Sequence, residues 1–121
     1  MHSKPLTYLA CPYTSPSRLE RCRRYTEVTD AFAVLTKEKG WAIFSPITSS
    51  HPLHERGLDG DWRFWRRIDT AYLRVSKRMV VLTLPGWESS VGVQAEIKIA
   101  KKFKIPVFYM HPSTYTLTKR P

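Results

Sequence analysis

Arg78-Met79-Val80-Val81-Leu82-Thr83-Leu84, then Pro85-Gly86-Trp87-Glu88-Ser89-Ser90, then Val91 to Phe103, then Ile105-Pro106-Val107-Phe108-Tyr109-Met110 is the stretch that decides the fold. Its first run is apolar without polar alternation, which reads as a strand buried on both faces, and Pro85-Gly86 stops it. Gly92, Glu96, Ile99, Ala100 and Phe103 fall at i, i+4, i+7, i+8 and i+11, one face of a helix. Strand, loop, helix and strand in that order make a βαβ unit, whose strands are parallel because a helix-length crossover joins them. Ligands of such sheets bind beyond the carboxyl ends of the strands, so the 85–90 loop is the first place to look for a site.

Upstream, Leu6-Thr7-Tyr8-Leu9-Ala10 reads as a first strand, ended by the Cys11-Pro12-Tyr13-Thr14-Ser15-Pro16 loop. A helix from about Ser17 to Lys39 follows, with its stripe at Cys22, Tyr25, Val28, Phe32 and Leu35, and Gly40 stops it. Trp41 to Phe44 is strand two. Ser45 to Gly60, with Pro46, Pro52 and Gly57, reads as a long irregular segment. Asp61 to Ser76 is the next helix, with Asp61 at its positive end and Trp62, Trp65, Asp69, Tyr72 and Leu73 on one face. His111 to Pro121 reads as a short polar tail. The expected architecture is α/β: a parallel, Rossmann-like (flavodoxin-like) sheet flanked by helices, in one domain covering residues 1–121.

The chain carries 20 Lys and Arg against 10 Asp and Glu, a formal charge of +10, which points to anionic ligands. The charges are scattered over predicted helix faces, and no run reaches the five or six like charges of a basic arm, so a nucleic-acid partner is not favoured. No run approaches the roughly 20 apolar residues of a membrane span. Met1-His2-Ser3-Lys4-Pro5 lacks the apolar core of a secretory signal, so a cytoplasmic location is expected. Cys11 and Cys22 are too few for a disulfide framework. His51 and His54 have no Cys or acidic residue at an evident ligand spacing, so neither a metal nor a cofactor is expected.

Glu96 and Asp69 each sit on an otherwise apolar stripe. Glu96 cannot be a capping-box glutamate, because the residue three before it is Val93. Two readings stay open for each: a side chain at the stripe's edge pairing with a base, such as Arg66 or Arg67 for Asp69, or a carboxyl in a pocket. Two carboxyls converging on one pocket can do glycosyl chemistry, one attacking or shielding the anomeric carbon while the other handles protons. The loop from Gly86 to Gly92, with Ser89 and Ser90 at a helix start, offers hydroxyls and N–H groups to a phosphate.

Tyr8-Leu9-Ala10-Cys11, Asp69 with Leu73 four on, and Ser90-Val91-Gly92-Val93-Gln94-Ala95-Glu96 with Ala100 resemble the nucleoside 2-deoxyribosyltransferase superfamily. That superfamily includes the 2'-deoxynucleoside 5'-monophosphate N-glycosidases and a branch of small uncharacterised bacterial and phage proteins. The Ala-Cys-Pro-Tyr, Ser-His-Pro and Leu-Pro-Gly-Trp stretches look most like the latter. The resemblance implies Glu96 as nucleophile, Asp69 as the carboxyl assisting the leaving base, and Tyr8 in the sugar pocket. It implies a 5'-phosphate partner for Ser90, which stands where the nucleoside transferases have an aspartate. Gln94 replaces a frequent glycine, and its bulk is expected to narrow the pocket. Cys11, Tyr13, His51, Trp87, Ser89, Ser90 and Gly92 complete the candidate substrate-binding set.

Two functions follow as expectations. The first is cleavage or transfer of the N-glycosidic bond of a 2'-deoxynucleoside 5'-monophosphate, by a homodimer or tetramer. The alternative is a non-catalytic nucleotide- or nucleic-acid-binding module on the same fold.

Overall fold

The computed structural model describes residues 4–58 and 60–121, so the start of the segment examined for a secretory signal lies outside the described residues. Five strands, β1 (Leu6–Ala10), β2 (Ala42–Phe44), β3 (Ser76–Leu82), β4 (Val107–Met110) and β5 (Leu117–Thr118), form one sheet in the order β2-β1-β3-β4-β5. The first four are parallel, and β5 runs antiparallel to β4. Four helices flank them: α1 (Arg18–Lys39), α2 (Pro46–His54), α3 (Trp62–Arg74) and α4 (Val91–Lys102).

Strand alternation divides the core in two. Tyr8, Ala10, Met79 and Val81 point to one face, where they meet Leu73 of α3 and Val93, Ile97 and Ala100 of α4. Leu9, Val80 and Leu82 point to the other, against Val28, Ala31 and Leu35 of α1. Both faces of the central strands are therefore covered, which is why Tyr8 to Ala10 and Met79 to Leu82 carry no polar alternation. Because the chain leaves β1 toward one edge and β3 toward the other, the carboxyl ends of these neighbours border a crevice, the usual ligand position in such sheets.

Local signals explain the helix ends. Ser17 caps α1 by accepting from the Glu20 N–H, and Gly40 closes it at φ 65°, a left-handed conformation suited to glycine. Asp61 and Ser90 cap α3 and α4 in the same way as Ser17.

Three expectations need correction. Ser45–Gly60 is not irregular throughout, because Pro46 to His54 is helical. Ser45 caps this helix by accepting from the Thr48 N–H, and Pro46 occupies its first turn, where a missing N–H costs nothing. The buried arc of α4 is Val93, Glu96, Ile97 and Ala100, rotated from the expected one, while Phe103 is a C-cap residue left exposed under the Arg74 guanidinium. The 111–121 tail contains β5, whose turn is organised by His111: its Nδ1 accepts from the N–H groups of Ser113 and Thr114. A two-residue strand is too short to leave a periodic signature.

Candidate active site

The loops after β1 and β3 frame a cleft of about 1170 Å³. Cys11, Tyr13 and Ser15 line it from the first loop, Gly86, Ser89 and Ser90 from the second, Trp62 and Trp65 from α3, and Gly92 and Glu96 from α4. Glu96 and Asp69 are the carboxyls of its interior, 6% and 8% exposed. Neither forms an ion pair among the described residues, so the edge-pairing reading of both loses its partner.

Burial sets their chemistry. It pushes the Asp69 carboxyl up to about 7. It pushes Glu96 up to about 8, with a further rise from the Asp69 charge, opposed by a hydrogen bond from the Tyr8 hydroxyl to Glu96 Oε2. Near neutral pH the two carboxyls therefore hold about one proton as a pair, which belongs to the pair rather than to either residue. Tyr8 itself is held well above the usual tyrosine range, by burial first and then by the Glu96 charge, so it stays a phenol and a donor. Burial, then the Glu96 charge, likewise keeps the Cys11 thiol protonated.

Gly92 opens the way to Glu96. A Cβ placed there would lie 3.8 Å from the Trp62 ring and 4.0 Å from Glu96 Oε1, so any larger side chain would stand between the indole and the carboxyl. Gln94 does not narrow the cleft as expected. Its side chain is not part of the cleft lining: Nε2 donates to the Trp87 carbonyl at 3.2 Å, which ties α4 to the 3-10 turn Trp87–Ser89.

Residues 5–112 match the family described as a domain of unknown function, DUF1937. The chain belongs to that family. A comparison with curated proteins found no match. Among solved structures, this DUF1937 chain is similar to a 2-deoxyribosyltransferase from the psychrotolerant bacterium Bacillus psychrosaccharolyticus. The two share 17% identity at a TM-score of 0.56, over 93% of this chain and 77% of the other, a likeness of fold.

Within the DUF1937 cleft the sequence-derived candidates fall into two groups. Glu96, Asp69, Cys11, Tyr13, Ser89, Ser90 and Gly92 line it. Tyr8, His51 and Trp87 do not: Tyr8 stands behind Glu96, Trp87 packs near Tyr109 at 5.5 Å between ring centres, and His51 is buried behind Tyr13. Ser90 has a prior engagement, since its Oγ accepts from the Val93 N–H.

Sequence reasoning missed the cationic lining, which consists of Arg21, Arg24 and Arg63. They read as solvated helix faces because periodicity cannot tell an outward face from one overlooking a cleft. Arg24 ties the site together: Nη1 donates to the Thr14 carbonyl at 3.1 Å and Nη2 to the Pro85 carbonyl at 3.3 Å, bridging both framing loops. No described helix is long and apolar enough to cross a membrane.

Proposed function

We propose that the protein cleaves or transfers the N-glycosidic bond of a 2'-deoxynucleoside 5'-monophosphate through a glycosyl-Glu96 intermediate. The observation that carries this reading is the pair of buried, unsalted carboxyls, Glu96 and Asp69, in a cleft that also presents Arg21, Arg24 and Arg63. The fold shared with a 2-deoxyribosyltransferase supports it.

In the productive state Glu96 is the carboxylate and Asp69 the acid, the minor arrangement of the shared proton, because burial holds Glu96 higher than Asp69. The Tyr8 hydrogen bond favours charge on Glu96. A Glu96 oxygen forms a bond to the anomeric carbon as the bond to the base nitrogen breaks, and the Asp69 proton goes to the departing base. Asp69, now ionised, takes a proton from water or from a second base as that group attacks the anomeric carbon and releases Glu96. The 5'-phosphate takes the arginine side of the cleft, with the Ser90 hydroxyl proton and the first N–H groups of α4 as donors. Trp62 and Trp65 offer flat apolar walls to a base.

Incubation with each deoxynucleoside monophosphate, followed by chromatography of free base, tests the reading. Base release by the wild type and none by Glu96→Gln supports it. Binding without release by the wild type supports the non-catalytic module instead.

A further inference from the structure

Behind the Tyr13 wall of the cleft, α1 and α2 bring together three donor atoms of different chemistry. Cys22 Sγ lies 3.9 Å from His51 Nε2 and 3.8 Å from Glu55 Oε1, and these last two atoms are 3.7 Å apart. The three make a nearly equilateral triangle. A tetrahedral zinc ion, with bonds of about 2.3 Å to sulfur and about 2.0–2.2 Å to nitrogen and oxygen, needs ligand separations of about 3.3–3.6 Å. The observed edges differ from these by only a few tenths of an ångström, within the reach of side-chain adjustment.

We propose that Cys22, His51 and Glu55 form a binding site for a divalent zinc-class cation, with a fourth coordination position open to water. The scaffold is fixed on both sides. His51 and Glu55 sit at i and i+4 across the last turn of α2, on one helix face. Cys22 faces them from α1, and the Thr29 and Thr48 hydroxyls, 2.9 Å apart, link the two helices.

The imidazole is already oriented as a ligand. Its Nδ1 lies 2.7 Å from the Tyr13 hydroxyl and its plane stacks on Tyr25 with ring centres 4.3 Å apart, which turns Nε2 toward Cys22 and Glu55. When Nδ1 carries the proton and donates to Tyr13, the Nε2 lone pair is free for a metal, the usual outer partner of a metal-bound histidine. Mixed sulfur, nitrogen and oxygen donors select zinc or cobalt over magnesium or calcium, which prefer oxygen alone. A thiolate and a carboxylate cancel the ion's two charges, and the Cys22 thiol proton passes to solvent on binding. Arg18 now donates to Glu55 Oε1 at 2.6 Å, but it is largely exposed, and its Nε is already 3.4 Å from Oε2, to which it can shift. The ion would sit one hydrogen bond from Tyr13, so loading it stiffens one wall of the cleft.

The test uses the full chain, stripped with a chelator and titrated with Co(II). One equivalent should give tetrahedral d–d bands and a sulfur-to-cobalt charge-transfer band, both abolished when Zn(II) displaces cobalt. Cys22→Ser should remove the charge-transfer band. It and Glu55→Gln should each weaken Zn(II) binding by more than the roughly 10- to 100-fold that loss of an outer-shell partner costs. Both positions are at least partly exposed, so these variants keep the fold, and melting without metal checks that. Three outcomes overturn the proposal: no charge-transfer band in the wild type, a band that persists in Cys22→Ser, or unchanged zinc affinity in Glu55→Gln.

Discussion

Tyr8 on β1 donates its phenolic hydrogen to Glu96 Oε2 on α4, joining sheet and helix across 88 residues of sequence. This bond draws the Glu96 pKa down, against burial and the Asp69 charge, which raise it. Tyr8→Phe removes a hydrogen bond to a charged acceptor, about 1.5–3 kcal/mol. Turnover should fall roughly 10- to 100-fold and the basic limb of the pH–rate profile, set by the higher Glu96 value, should move upward. An unmoved profile would leave Tyr8 a packing role only.

The proton shared by the carboxyls has its own signature. With Asp69 near 7 and Glu96 near 8, activity requires one carboxylate and one acid, and therefore one proton on the pair. Below the lower value both are protonated and no nucleophile exists; above the higher value both are ionised and no acid remains. The rate should trace a narrow bell with its maximum between about pH 7 and 8. A plateau from roughly pH 5 to 9 in kcat/KM would break the assignment of both roles to this pair.

Ser90 carries two duties that substitution separates. Its Oγ caps α4, so Ser90→Ala should cost about 1 kcal/mol of stability whatever the ligand. Its hydroxyl proton remains for a phosphate, so the same variant should also weaken a monophosphate by about 1–2 kcal/mol and the matching nucleoside little. Ser90→Thr keeps both functions and serves as the control. Calorimetry with both ligands reads the difference, and equal losses for both place the phosphate elsewhere.

Much of this was legible in the chain. The apolar runs within Leu6–Ala10 and at Met79–Leu82 announce central parallel strands because both of their faces are buried, and Gly40 announces a helix end by its left-handed backbone. Glu96 and Asp69 stand out because a carboxyl on an apolar stripe needs a reason. What was not legible depends on tertiary contact. Pro46 looks like a breaker and is a helix start, and only once α2 exists do His51 and Glu55 share a face with Cys22 opposite. Arg24 looks like a surface residue until Thr14 and Pro85 arrive from loops 61 residues or fewer away in sequence.

The outer side of α3 leaves an apolar stripe open. Phe64, Ile68, Tyr72 and Val75 fall at i, i+4, i+8 and i+11 and are 46%, 44%, 43% and 72% exposed. We propose that a second copy of the chain covers it, giving a homodimer or tetramer. Sedimentation at micromolar concentration should show a species larger than the monomer, and Ile68→Glu should shift it to the monomer. A monomeric wild type would reject this assembly.

Glu96→Gln separates chemistry from stability at one residue. The glutamine keeps the shape and an oxygen to accept from Tyr8 but cannot attack as a carboxylate, so turnover should fall at least about 1,000-fold while monophosphate affinity stays similar. Its effect on stability has a definite sign. The folded-state value near 8 lies above the ordinary 4.5, so between these pH values the folded chain holds a proton that the unfolded chain has lost. The stability contributed by that proton is complete below the unfolded value and is lost as pH rises through the folded one. Glutamine carries no such titration, so relative to wild type the variant should gain roughly 2–4 kcal/mol between pH 5 and 9, measured by urea unfolding at the two ends. Wild-type rates of base release by a folded Glu96→Gln protein would end the nucleophile assignment. A variant that is less stable than wild type at pH 9 would show instead that the charge of Glu96 holds the fold together.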